Sequence, residues 1–205
     1  MTKTISKIFP TYERAQAAVR ELETAGVPHS EVSIVSNNSD SWFSKDGATK
    51  RVDRDGDGVD DRAEGASKGA GIGAGVGGAA GLMAGLGLLA IPGVGPVVAA
   101  GWLVATAAGA VAGGLTGGMV GALTQAGVSD EDAQVYAEGV RRGGTLVTAR
   151  VADGDAARLE TVLDRSALRT TDLRTSYGKS GWKSFDPKSQ PYSADEVRKE
   201  RSLYS

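Results

Sequence analysis

The chain has no cysteine and a single histidine, His29. The first absence excludes a disulfide framework, a thiolate metal site and a thiol nucleophile. The second removes most catalysis that depends on an imidazole base. His29 follows Pro28 with no nucleophile or ligand close in sequence, and reads as a surface residue. Net charge is −2, so there is no cationic excess for nucleic acid. Aromatic residues are scarce, and the strand-like runs Val32–Val35 and Thr145–Val151 contain none. A sheet that stacks RNA bases needs them, so no nucleic-acid partner is expected. Met1–Pro10 lacks the apolar run of a signal peptide. The soluble parts are therefore expected on the cytoplasmic side. No carboxylate pair sits with a base, metal or pocket signature, so no enzymatic activity is expected and no catalytic or cofactor-binding residue is named.

The longest absence is of charge. From Gly69 to Val128 there is no Asp, Glu, Lys or Arg. Glycine recurs every fourth residue at Gly69, Gly73, Gly77, Gly81 and Gly85. A second series runs Gly101, Ala105, Gly109, Gly113, Gly117 and Gly121. On a helix such positions share one face, so each half would carry a stripe with almost no side chain. Stripes of this kind let helices approach to backbone contact. The spacing predicts a helical hairpin over 69–128, turning at Ile91-Pro92-Gly93-Val94-Gly95-Pro96. Helices over Gly69–Ile91 and Val97–Gln125 would be long enough to cross a hydrocarbon core of about 30 Å. Ile72, Val76, Met83, Leu86 and Leu89 would face lipid, and Trp102 would sit at an interface or pack inside. Two alternatives stand beside a spanning transmembrane helix pair. The hairpin could enter and leave one face, or the glycine stripes could assemble a soluble homo-oligomer. Gly71–Gly77 alternates glycines but lacks the Gly-Lys-Ser/Thr ending of a phosphate loop.

The flanks read as one interrupted domain. Residues 1–36 give a strand at Thr4–Phe9, then a helix from Tyr12 with Thr11 as its cap and Ala15, Ala18, Val19 and Leu22 on one face. Gly26 stops that helix, and Val32–Val35 is a second strand. Residues 129–176 give a helix capped by Ser129, a strand at Thr145–Val151, a helix at Asp155–Ala167 and a final strand at Thr170–Ser176. The expected fold class is α+β, a ferredoxin-like β-α-β-β-α-β sandwich interrupted by the Gly/Ala-rich hairpin. Residues 177–205 form a polar tail ending in a short helix with a Ser193–Glu196 capping box.

Between the first half and the hairpin lies a polar loop, 37–68. Within it, Asp53-Arg54-Asp55-Gly56-Asp57-Gly58-Val59-Asp60-Asp61-Arg62-Ala63-Glu64 follows the twelve-residue calcium loop. Asp53, Asp55 and Asp57 supply carboxylates, Gly58 the sharp turn, and Val59 a carbonyl. Asp61 binds directly or through water, and Glu64 closes the shell with two oxygens. These six residues are the candidate Ca²⁺ ligands. Asp60 replaces the usual aliphatic residue, no helix signal precedes Asp53, and the loop is single, so the expected affinity is weak. The alternative is an acidic, solvated linker.

Three stretches carry a resemblance. Phe9-Pro10-Thr11-Tyr12 through Ala25-Gly26-Val27 to Ser33-Ile34-Val35 is similar to the start of bacterial general stress proteins of the heat-induced type. Ala90–Val97 resembles that family's hydrophobic turn, and Tyr136–Val147 its re-entry into the sheet. The resemblance spans about residues 4–175. It implies a stress-linked, membrane-associated protein with no established enzymatic activity, to which the uncharged stretch and its glycine stripes add membrane lipid and copies of itself as expected partners. The competing expectation is a soluble, homo-oligomeric, ligand-binding or regulatory ferredoxin-like module.

Overall fold

The computed structural model describes residues 1–43, 86–103, 106 and 118–204. These residues form a mixed fold of one five-stranded antiparallel sheet and six α-helices. The elements are β1 (Thr2–Phe9), α1 (Tyr12–Thr24), β2 (Val32–Asn37), β3 (Gly87–Ile91), β4 (Gly95–Gly101) and α2 (Gly118–Gln125). They continue with α3 (Asp130–Arg141), β5 (Thr145–Ala152), α4 (Ala156–Asp164), α5 (Thr170–Lys179) and α6 (Ala194–Arg201).

The strand order is β1-β5-β2-β4-β3. Both β1 and β2 run antiparallel to β5, so they are parallel to each other and α1 makes the crossover between them. The first β-α-β unit forms for the reasons legible in sequence. The Thr11 hydroxyl accepts the Arg14 N–H at 3.3 Å, and Ala15, Ala18, Val19 and Leu22 are the buried face of α1. Gly26, at φ +98°, turns the chain after it.

Helices cover both faces of the sheet. On one face α1 and α4 enclose Ile5, Phe9, Val32, Ile34, Val98, Val147 and Ala149. On the other, α2, α3 and α5 enclose Ile8, Val35, Val97, Ala99 and Leu146. Strands buried on both sides cannot alternate apolar with polar. Where small hydroxyls enter this interior they pair across strands. Ser36 and Thr145 meet at 2.8 Å, and Ser6 donates to Thr148 at 3.2 Å. Each pair satisfies two groups that burial would otherwise strand.

Two expectations are corrected, and one that stood between alternatives is decided. The helical hairpin does not hold where the structure describes it. Residues 87–101 form the β3–β4 hairpin, and the described helical residues of the second half are Trp102, Leu103, Thr106 and those of α2 from Gly118. The physical reason is two-sided burial. Val97 and Ala99 face one core, Val98 and Ala100 the other, so the strand reads as a continuous apolar run. Periodicity cannot tell such a run from a buried helix. Gly93 at φ +74° and Gly95 at φ +99° supply the turn.

Second, Thr170–Ser176 is not a strand but lies within α5. Its threonines suggest β structure, but Leu173 and Tyr177, four apart, are both buried and fix a helix. What remains of a strand at that edge is one antiparallel bridge, Leu168 to Ile8, with the Leu168 N–H 2.8 Å from the Ile8 carbonyl. Third, Trp102 is a packing residue. Its Nε1 donates to the Glu31 carbonyl at 3.0 Å, and the Arg150 guanidinium stacks 4.4 Å over its ring. Among the described residues no helix is long and apolar enough to cross a membrane.

Candidate functional site

The densest polar chemistry lies where α3 ends and β5 begins, inside the Tyr136–Val147 motif. Ser129 caps α3, accepting the Asp132 N–H at 3.2 Å, and Asp130, Glu131 and Asp132 occupy its first turn. Tyr136 points inward and donates to the Ser6 carbonyl at 2.7 Å. Less than one turn from the end stands Glu138, wholly buried. Arg141 and Arg142, three and four residues on, fall on its face of the helix. Arg142 Nε donates to Glu138 Oε1 at 2.7 Å, and an Arg141 guanidinium N–H donates to Oε2 at 3.0 Å. Both oxygens of this buried carboxylate are thus engaged by guanidinium groups of the same helix end.

Other elements converge on this pair of arginines. Arg142 lies 4.3 Å over the Tyr177 ring of α5 and 3.5 Å from Glu200 of α6. Arg141 lies 4.6 Å over the Tyr192 ring and donates to the Gln190 carbonyl at 3.2 Å. From the far side Arg201 donates to the Gly143 carbonyl at 2.8 Å and the Asn37 carbonyl at 3.2 Å, and it pairs with Asp40. Asn37 ties the same corner to α3 by donating to the Arg141 carbonyl at 3.2 Å.

The electrostatics make this a holding site. Burial lowers the Arg142 pKa, but its hydrogen bond and ion pair to Glu138 outweigh that and raise it above the usual value. Burial holds the Tyr136 hydroxyl up at about 12, and drives that of Tyr177 higher still. Both phenols are therefore neutral at physiological pH, and both oxygens of Glu138 are already engaged by arginines. The cluster binds chain segments together. Only about 10 Å³ is left open between Tyr177, Arg142, Glu200 and Tyr204.

A wider cleft of about 580 Å³ lies between the C-terminal end of α1 and the start of α4. Its cations are already matched, with Arg150 at 2.8 Å from Glu31 and Arg158 at 3.1 Å from Asp155. His29 is at the surface, 3.0 Å from Glu23. The expected calcium ligands Asp53, Asp55, Asp57, Val59, Asp61 and Glu64 lie outside the described residues. Among the described residues no group of three His, Cys, Asp or Glu side chains is placed to hold a metal.

Sequence reasoning carried Arg141 and Arg142 only as part of Tyr136–Val147 and missed Glu138 as their anchor. The spacing was there: a carboxylate three and four residues before two arginines. The partners Glu200 and Arg201 carried no local signal, because nothing near them says where α6 docks. Compared with known protein families, curated proteins and solved structures, the chain matches none.

Proposed function

We propose that this chain is a non-enzymatic, membrane-associated general stress protein of the bacterial heat-induced type. Its uncharged stretch associates with lipid or with copies of itself, and its α+β domain, on the cytoplasmic side, binds partners. The observation that carries this reading is where the stretch is pinned. The residues between 43 and 86 are bracketed by Phe43 and Leu86, which pack into the same core. Those between 103 and 118 are bracketed by Leu103 and Met119, which share the other core.

The β3–β4 hairpin also changes how deep that stretch can go. It takes residues 87–101 out of any membrane span. The charge-free remainders are 69–85 and 104–117, 17 and 14 residues. Drawn as helices at about 1.5 Å per residue they would reach about 26 and 21 Å, short of a hydrocarbon core of about 30 Å. We therefore favour partial entry into one leaflet over a spanning transmembrane hairpin.

We further read the sheet as a ferredoxin-like frame. The β1-β5-β2 core with its α1 crossover has the strand order of that sandwich, and the Leu168 bridge stands where its fourth strand would pair with β1. The β3–β4 hairpin extends the opposite edge. The Asp53–Glu64 loop is proposed to bind Ca²⁺ weakly and to fix how the domain sits over the uncharged stretch. Calorimetric titration giving no heat at millimolar Ca²⁺ would remove that part.

A soluble homo-oligomeric regulatory module is the second reading. β3 favours it, because among the described residues it pairs only with β4 and carries Leu88 39% exposed. Flotation of the full chain with lipid vesicles separates the two. The first reading predicts co-flotation that survives an alkaline carbonate wash. Recovery in the soluble fraction as a defined oligomer would overturn it in favour of the second.

A further inference from the structure

Residues 182–204, here the strap, cross the hairpin turn and the end of α3 in a groove built from glycines. A Cβ on Gly93 would stand 2.6 Å from the Pro187 Cα, one on Gly95 2.7 Å from the Pro191 Cβ, and one on Gly143 2.7 Å from a Val197 methyl. Three residues of the strap therefore each rest on a position that must lack a side chain. Two ion pairs key its register, Glu200 to Arg142 and Arg201 to Asp40. Of helix α6, only Val197 is buried.

The seam is less complete than the core. Among the described residues, the buried side-chain polar atoms with no hydrogen-bond partner are Ser39 Oγ, Asp40 Oδ1, Arg141 Nε and Trp182 Nε1. Every one borders the strap or belongs to it. Interiors satisfy such groups almost throughout, so the seam is less fully hydrogen-bonded within the protein than the core. The approach to the strap is a hinge. Gly178 and Gly181 have nothing within 4 Å of where a Cβ would be, and Gly181 sits at φ +85°.

We propose that the strap is exchangeable, and that the groove accepts the strap of a second copy of this chain to give a reciprocally swapped dimer. Every glycine seat and both ion pairs are reproduced in that dimer, because groove and strap come from identical sequences. The exchange is independent of the membrane reading and uses a surface other than the glycine stripes.

Charge reversal tests it in the full chain. Asp40→Arg places two arginines opposite one another within a chain, and Arg201→Asp places two aspartates. When the two variants are mixed, each groove meets a strap of opposite sign only across the dimer. The two variants carry different isotope labels, are refolded together at high concentration and are read by native mass spectrometry. The mixed dimer should exceed each homodimer by about ten-fold, against the two-fold of random pairing. A chain with both reversals restores the pair within itself and controls for folding. If single variants fail to fold alone, the mixed dimer should still form on co-refolding. A mixture that stays monomeric, or that pairs at random while the double reversal folds, overturns the proposal.

Discussion

Glu138 shows how much one side chain can organise. It has no exposed surface, and its two arginines retain only 10–16% of theirs. Removing one partner from a buried ion pair leaves charge without compensation, at a cost of about 3–5 kcal/mol. Glu138→Ala should lose that much in urea-monitored unfolding, and a loss under 1 kcal/mol would place the arginines in water instead. Tyr136 makes a prediction in pH. Its folded pKa of about 12 stands above the usual 10 because burial disfavours the phenolate. A raised pKa means that stability is fully present below pH 10 and drains away as pH rises through about 12. The drain should total about 2–3 kcal/mol. Thermal melts between pH 9 and 12 should show it, and Tyr136→Phe should flatten that slope. At Gly101, φ is +95° and a Cβ would lie 2.3 Å from the Val32 carbonyl oxygen. Because the obstacle is backbone, Gly101→Ala should part β4 from β2, read as a lost cooperative transition.

Among the elements, the strap is the one designed to be separable. Ser193 and Glu196 form a complete capping box at the start of α6, while the helix contributes one buried side chain. Gly143→Ala would push a Cβ against Val197 and Arg201 from a φ of +107°. It should release α6 and leave the sheet standing. Hydrogen exchange should quicken across residues 182–204 with protection of β1, β2 and β5 unchanged. Loss of protection throughout the domain would mean that the strap belongs to the core. The elements also show where sequence was legible. Thr11 with Ala15, Ala18, Val19 and Leu22, and Ser129 with its acidic first turn, announced α1 and α3, because capping and one-sided burial are local. The strands β3 and β4 did not announce themselves. Burial on both faces erases alternation in β4, the exposed positions of β3 are the apolar Leu88 and Ala90, and glycine every fourth residue fits a helical stripe regardless. Thr170–Ser176 misled for the opposite reason, since β-branched propensity yielded to the buried pair Leu173 and Tyr177. Of the charge cluster, the α3 half was readable from spacing and the α6 half was not, because docking is a tertiary choice.

Across the whole molecule, the architecture joins a well-packed α+β domain to a chain that repels nothing apolar. The sheet takes the middle of the uncharged stretch into its own edge, leaving two shorter charge-free pieces, 69–85 and 104–117. On our reading those pieces enter lipid shallowly while the β3–β4 hairpin stays with the domain. The absence of cysteine allows a direct test. Single substitutions Ala79→Cys, Leu88→Cys and Ala108→Cys, each labelled with a polarity-sensitive fluorophore, report depth with vesicles carrying lipid-borne quenchers. The account predicts blue-shifted, quenched emission from positions 79 and 108 and water-like emission from position 88. Deepest burial at position 88, or water-like emission from all three, would contradict it.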